Sequence, residues 1–334
     1  MRKDAIEYLK ELPRKAIKQK LKKMRDDLTP VSVLSNIDDY KNYLTEIIKY
    51  YSWIQIMPPS LMKKFYQNHP KISKLNETDL EKKFKSDGAD VSFSNMIISR
   101  MRYSNVARKK ISRFLKACGF NTCVYCNQSP IDYDEICSEN DSDEDENMME
   151  GTLDHFYNKN RYPFLCTSFF NLFPCCGTCN GVAMKGERQI GFYPYREDSE
   201  NKVDSPFKFL FDIKDYGAFC SEDDVSIDFE EERGMGDLFL FNGNKDLQKY
   251  EEIFKIVKRY RKYRADVSLA ENRRKNAEMT KKTYSELSDG RLPLPTPSVR
   301  AEEILNVMSL NVEDIHKRSL MKLLLDFGDK WGLI

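Results

Sequence analysis

Cys123-Val-Tyr-Cys126 and Cys176-Gly-Thr-Cys179 carry the plainest chemistry in this chain of 334 residues. A C-x-x-C turn presents two thiols from one bend, and four thiolates in a tetrahedral array make a closed zinc site with Zn–S bonds of about 2.3 Å. The 49 residues between the pairs exceed the common spacing of about 15–20. An acidic, low-complexity run over about 131–150, with ten acids and no base, accounts for part of the excess and reads as a disordered insertion. One C-x-x-C by itself can equally be a redox dithiol; the presence of two favours zinc. Cys175 and Cys176 are adjacent, and the two-residue gap selects Cys176. Cys118, Cys137, Cys166, Cys175 and Cys220 read as buried or incidental thiols.

Asp154 and His155 lie between the pairs, Asn171 follows, and Asn180 comes directly after the last cysteine. A histidine with an ordinary pKa near 6.5 is mostly neutral at working pH and can take a proton from water. A carboxylate and an amide oxygen suit a hard cation such as Mg²⁺. Neighbouring strand residues face opposite ways, so Asp154 and His155 must sit at a strand end or a bulge. Lys185 is placed to touch phosphate but reads more simply as a solvated helix lysine. His69, before a proline, and His316, in a helical stretch, read as structural.

The ordered string C-V-Y-C, L-D-H-F-Y, Y-P-F, N-L-F-P-C-C-G-T-C-N and K-G resembles the zinc-bound subtype of the HNH endonucleases, the ββα-metal or His-Me finger superfamily, over about residues 120 to 187. The family name expects a final histidine where this chain has Asn180, and relatives often have proline at the position of Asn158. The resemblance implies that His155 is the general base, that Asp154 and Asn180 bind a catalytic Mg²⁺ or Mn²⁺, and that Asn171 braces the loop holding the histidine. Cys123, Cys126, Cys176 and Cys179 would hold a structural Zn²⁺. It further implies a nucleic-acid substrate, DNA before RNA, and, from the general layout, bacterial anti-phage defence beside an ATPase of the SMC/ABC type. Two other readings stay open: a zinc-stabilised nucleic-acid-binding or adaptor module with an inactive site, and a dithiol redox enzyme.

The elements expected to position these residues are mostly helical. In residues 1–118, Ile6, Leu9 and Leu12 start an apolar spacing that Pro13 interrupts. Tyr40, Tyr43, Leu44, Ile47 and Ile48 form a second stripe, and Ile97, Met101, Ile111 and Leu115 a third. Thr29-Pro30, Pro58-Pro59 and His69-Pro70 mark the breaks. Residues 119–195 form the metal-bound module. In 196–334, "PFKFLFDI", "DVSIDFEEE" and "DLFLFNG" suggest short strands. The stretch 244–287 reads as one long charged helix with Leu247, Tyr250, Phe254 and Val257 on its apolar side, and helices close the chain. The fold class expected is therefore α+β, predominantly α-helical, with a small zinc-stapled ββα-metal module between helical regions. The 54 basic and 53 acidic side chains nearly cancel, but ten of the bases fall in residues 1–25 and seven more, with no acid, in 99–116. Such runs are a solvated face or a nucleic-acid surface. No apolar run approaches the roughly 20 residues of a membrane span, so a soluble cytoplasmic protein is expected.

Overall fold

The computed structural model describes residues 2–117, 119–131, 133, 151–190, 207–214, 221–231, 244–287 and 321–330. Prolines punctuate its first third as expected. Pro13 separates α1 (Arg2–Glu11) from α2 (Arg14–Asp26). Pro58 forces Met57 into extended backbone and so ends α3 (Ile37–Ile56), after which Pro59 opens α4 (Pro59–Asn68). Two one-turn helices follow, α5 (Pro70–Ser73) and α6 (Glu77–Leu80), the latter closed by a reciprocal Asn76–Asp79 capping box. The buried face of α1 is Ala5, Tyr8 and Leu12, whereas Ile6 is 47% exposed. Leu12 is in the core as expected, but Ala5 and Tyr8 take the core positions beside Ile6 and Leu9.

The N-terminal region is not wholly helical. β1 (Lys83–Ser86) and β2 (Ala89–Ser92) form an antiparallel hairpin closed by Asp87 and Gly88, both with positive φ (49° and 85°). A two-residue Asp-Gly loop of this kind matches the right-handed strand twist, and that signal was present in the sequence. Ser92 then caps α7 (Phe93–Arg100). The expected third helix is broken as well: Arg102 turns left-handed at φ 59°, a wide π-type turn spans Tyr103–Ala107, and α8 (Arg108–Ala117) continues. Ile97, Met101, Ile111 and Leu115 are nevertheless all buried. The detour delivers the ring of Tyr103 to His155, at 4.7 Å between centroids.

The middle of the chain is built on β3 (Gly151–His155) and β4 (Leu172–Cys176), antiparallel and in unbroken register from Gly151↔Cys176 to His155↔Leu172. The one-turn helix α9 (Gly177–Asn180) follows β4 directly. The N-terminal helices pack against this unit. Tyr8 Oη donates to the Thr167 carbonyl at 2.8 Å, and Thr167 Oγ1 donates to Gln55 Oε1 at 2.7 Å. Ile131 and Tyr133 belong to the packed unit rather than to the acidic insertion: both are buried, and Tyr133 Oη donates to the Phe120 carbonyl at 2.7 Å. The remainder of the insertion, 132 and 134–150, lies outside the described residues.

Further on, β5 (Phe207–Ile213) pairs antiparallel with β6 (Val225–Glu231), whose buried Val225 and Ile227 keep the expected two-residue alternation. The expected single long helix is instead three. α10 (Asn244–Phe254) stops at Lys255, left-handed at φ 50°; α11 (Ile256–Tyr260) and a 3₁₀ turn lead into α12 (Arg264–Leu287). One left-handed residue rotates the helix face, so the buried position after Phe254 is Ile256 and Val257 is only half-buried. α13 (Met321–Lys330) packs on β5, where Asp326 accepts from the Phe209 amide at 2.7 Å. "DLFLFNG", the proline cluster, His316, Cys118, Cys137 and Cys220 lie outside the described residues. The architecture is α+β and mostly helical, with three separate two-stranded sheets among the described residues. No helix among them is long and apolar enough to cross a membrane.

Candidate functional site

The two C-x-x-C turns converge. The Sγ atoms of Cys123, Cys126, Cys176 and Cys179 all lie within 4.8 Å of one another, and all four residues are buried. A tetrahedron with bonds of about 2.3 Å has edges of roughly 3.8 Å, close to the 4.0 Å between the Cys126 and Cys176 sulfurs. Local backbone bonds shape each turn. Asn127, at φ 47°, donates its amide to the Cys123 carbonyl at 2.8 Å, and the Cys179 amide donates to Cys176 Sγ at 3.4 Å. The turns are clamped together where the Val124 amide donates to the Pro174 carbonyl of β4. Hydrogen bonds from Cys123, Cys126 and Cys179 drive the Cys176 thiol strongly towards ionisation, while burial pushes Cys123 well up. Four thiols cannot all ionise beside one another without a cation, and this set fits a metal ion such as zinc. With four protein ligands, no position remains open for substrate. Cys175 and Cys166 are buried outside the set, and burial lifts the Cys166 thiol to about 12.

The other end of the hairpin carries Asp154 and His155. His155 is the last residue of β3, and the two side chains leave the strand on opposite faces, as period-two geometry requires. His155 is buried against Tyr103, and its Nε2 lies 3.0 Å from the Cys166 carbonyl. A carbonyl only accepts, so Nε2 carries the proton and Nδ1 the lone pair. Burial, with help from Lys159 and Lys185, depresses the imidazole pKa to about 3 against the weaker pull of the Cys166 carbonyl. Asn171 is fully buried and holds the chain leaving the histidine. Its Oδ1 accepts from the Tyr157 amide at 2.8 Å, and its Nδ2 donates to the Tyr157 and Leu165 carbonyls, each at 3.1 Å.

Asp154 faces the other way, into a closed network. Lys185 Nζ sits 3.0 Å from its Oδ1 and 2.9 Å from its Oδ2, and the Tyr125 hydroxyl donates to Oδ2. Burial raises the Asp154 pKa, while Lys185 and Tyr125 work to lower it. Lys185 is therefore not the solvated lysine expected: it is 2% exposed. A tight turn, with the Gly186 amide bonded to the Gly181 carbonyl and Gly186 at φ 48°, swings it back over the hairpin. Asn180 is turned to Thr152, donating Nδ2 to its Oγ1 at 2.9 Å. A hard cation such as Mg²⁺ needs oxygens at about 2.0–2.1 Å and keeps several waters. Here both Asp154 oxygens hold protein donors and an ammonium already supplies the positive charge, so the residues as arranged do not fit a divalent ion between Asp154 and Asn180.

Sequence reasoning passed over several residues of this cluster. Tyr125 sits inside the first C-x-x-C, where an aromatic between thiols was a readable signal. Tyr103 lies 52 positions before His155, and nothing local ties them. The C-terminal helices also reach the thiol end: Tyr260 Oη donates to the Cys126 carbonyl at 2.5 Å, Tyr250 Oη donates to the Tyr125 carbonyl, and Arg259 donates to Cys179 Sγ at 3.2 Å. His69, expected to be structural, holds the Phe65 carbonyl at 2.7 Å through Nδ1 and packs on the rings of Phe65 and Tyr50. No family model, curated protein or solved structure matches the chain.

Proposed function

We propose that the chain hydrolyses phosphodiester bonds of nucleic acid, DNA in the first place, with zinc in the thiol cluster as its scaffold. The observation that carries this reading is the place of His155. It ends a strand whose partner runs into the second thiol turn, and Asn171 fixes the loop beyond it through three hydrogen bonds. In the reaction, an attacking water gives its proton to His155 Nδ1 while its oxygen forms the new bond to phosphorus. The bond to the leaving oxygen breaks, and that oxygen takes a proton from solvent. A pKa near 3 makes the imidazole a weak acceptor, but a phosphodiester anion beside it favours the imidazolium and raises the value. The Mg²⁺ or Mn²⁺ that the HNH resemblance implies is assigned no step, because Lys185 holds Asp154. The same resemblance extends the proposal to anti-phage defence with an SMC/ABC-type ATPase, for which co-purification with such a partner is the test.

Cleavage of plasmid, single-stranded DNA and tRNA by the wild type and by His155→Ala, both with their metal content measured, tests the proposal. The variant should stay folded and metal-loaded and lose roughly 10²-fold or more in rate, as expected when a general base is removed. Equal rates in the two proteins would refute the assignment. A second reading, a zinc-stapled nucleic-acid-binding or adaptor module without catalysis, is favoured by one observation: His155 is 6% exposed beneath Tyr103. Binding of all three polymers with no cleavage of any would establish that reading instead.

A further inference from the structure

A cavity of about 470 Å³ lies beside the thiol cluster, lined by Gln128, Ser129, Met184, Lys255, Lys258, Arg259, Lys262 and Tyr263. Four of these side chains are cationic and none is acidic. Lys255, Lys258 and Lys262 are exposed, and none has an ion-pair partner among the described residues. Lys255 immediately precedes α11, Lys258 and Arg259 lie within it and Lys262 lies in the 3₁₀ turn that follows, and the cavity wall brings the four together as a basic row. Two further facts separate this row from an ordinary solvated face. Gln128 Nε2 is buried with no hydrogen-bond partner, an unmet N–H donor on the cavity wall. Arg259 is anchored, with its guanidinium on Cys179 Sγ and Met184 Sδ, so one cation of the row is held rigid against the module. An orphan buried donor costs free energy unless an acceptor reaches it. A cavity offering cations and a spare amide N–H calls for an anion.

We infer that this cavity binds the phosphate backbone of a nucleic-acid strand and seats it against the thiol-stapled module. Three exposed lysines and an anchored arginine carry more positive charge than one phosphate neutralises and suit several phosphates of one strand, which points to a polymer rather than a free ion. The left-handed Lys255 is what creates the row: by turning the helix face at φ 50° it directs Ile256 into the core and leaves the basic face over the cavity. The choice of polymer rests on the nucleic-acid reading above; the anion site itself rests on the cavity lining.

The test is fluorescence anisotropy of labelled single-stranded and duplex DNA with the full-length chain in a His155→Ala background, which keeps the oligonucleotide intact, over a salt series. The triple change Lys255→Gln, Lys258→Gln, Lys262→Gln should weaken binding roughly 10²-fold at about 0.1 M salt and flatten the salt slope by roughly 2–3. Gln128→Leu should weaken it a few-fold with the slope unchanged, because it removes a donor and no charge. The control change Lys20→Gln, Lys22→Gln, Lys23→Gln removes the same charge from α2 and should leave affinity within about twofold. If the triple variant fails to fold by thermal melting, Lys258→Glu alone should still cost about tenfold. Equal losses from the two triple variants, or no binding of either oligonucleotide, would overturn the inference. Cleavage absent with cavity-dependent binding intact would remove the hydrolysis reading alone, and cleavage present with the two triples equal would remove this one alone.

Discussion

At the Gly151–Cys176 end of the β3–β4 hairpin, four thiols face one another and compete for ionisation. At the His155–Leu172 end, Asp154 and Asn171 are held by protein partners without any added ion, and His155 is held through Nε2 alone, with the lone pair on Nδ1. The strands between are paired without a bulge, so the two ends are held at a fixed separation of roughly 14 Å, four steps of about 3.4 Å. The contrast is that, of the two ends, the thiol end gathers residues that could hold a metal ion. Four thiols can all ionise only beside a foreign cation, whereas the carboxylate at the other end already faces an ammonium.

The largest effect should come from attacking the thiol end. Cys123→Ser or Cys176→Ser removes one of four ligands, and structural zinc contributes on the order of 10 kcal/mol in small metal-folded modules. These variants are expected to lose the metal and the cooperative unfolding of the module, read by metal content and by thermal melting. Melting unchanged from the wild type would show that the hairpin needs no staple.

The other end should respond to pH instead. The folded-state pKa of His155, about 3, lies below the unfolded value near 6.5. Its contribution is therefore complete above about pH 6.5 and is lost as the pH falls towards 3, by up to about 1.4 kcal/mol per pH unit. Denaturant titrations of the wild type and His155→Gln across that window should show the steeper acid loss in the wild type. Parallel curves would mean that the imidazole is not buried in its neutral form.

Next in size is the Lys185–Asp154 pair. Both partners are buried, and Lys185→Met leaves a carboxylate without its cation at a cost of roughly 3–5 kcal/mol. Adding Asp154→Asn should recover much of that loss, and the pair's coupling is read from the double-mutant cycle. Simple additivity of the two changes would mean that the pair does not interact.

The smallest effect belongs to Asn180→Ala. It removes one hydrogen bond, from Nδ2 to Thr152 Oγ1, at a half-buried position, and should cost about 1 kcal/mol. A loss of several kcal/mol would give Asn180 a larger role than that bond supports.

What could be read in the sequence follows the range of each interaction. The thiol pairs were legible because C-x-x-C encodes its geometry within four residues, and the strand alternation of Val225 and Ile227 because its period is local. Pro13, Pro58 and Pro70 marked helix ends because proline acts on its own neighbours. The breaks at Arg102 and Lys255 were not legible, since Arg and Lys, unlike the Asp-Gly pair at residues 87 and 88, carry no preference for positive φ that a sequence would show. The reach of Tyr103 to His155 was hidden for a related reason: it depends on that unreadable break. Lys185 looked solvated because its partner lies 31 positions earlier, and only the turn ending at Gly186 brings them together. Asp154 and Asn180 were expected to share an ion, but the hairpin directs one to Lys185 and the other to Thr152.

The central claim, one metal at the thiol end and an ammonium in place of a metal at the carboxylate end, is tested most directly by counting bound metals. The purified chain should be analysed for total zinc and then titrated with Mn²⁺, followed by electron paramagnetic resonance. The account predicts one zinc per chain and no tightly bound Mn²⁺ in the wild type, with Mn²⁺ binding appearing in Lys185→Ala once the ammonium is gone. Absence of zinc, or a stoichiometric Mn²⁺ site in the wild type that Asp154→Asn abolishes, would contradict it.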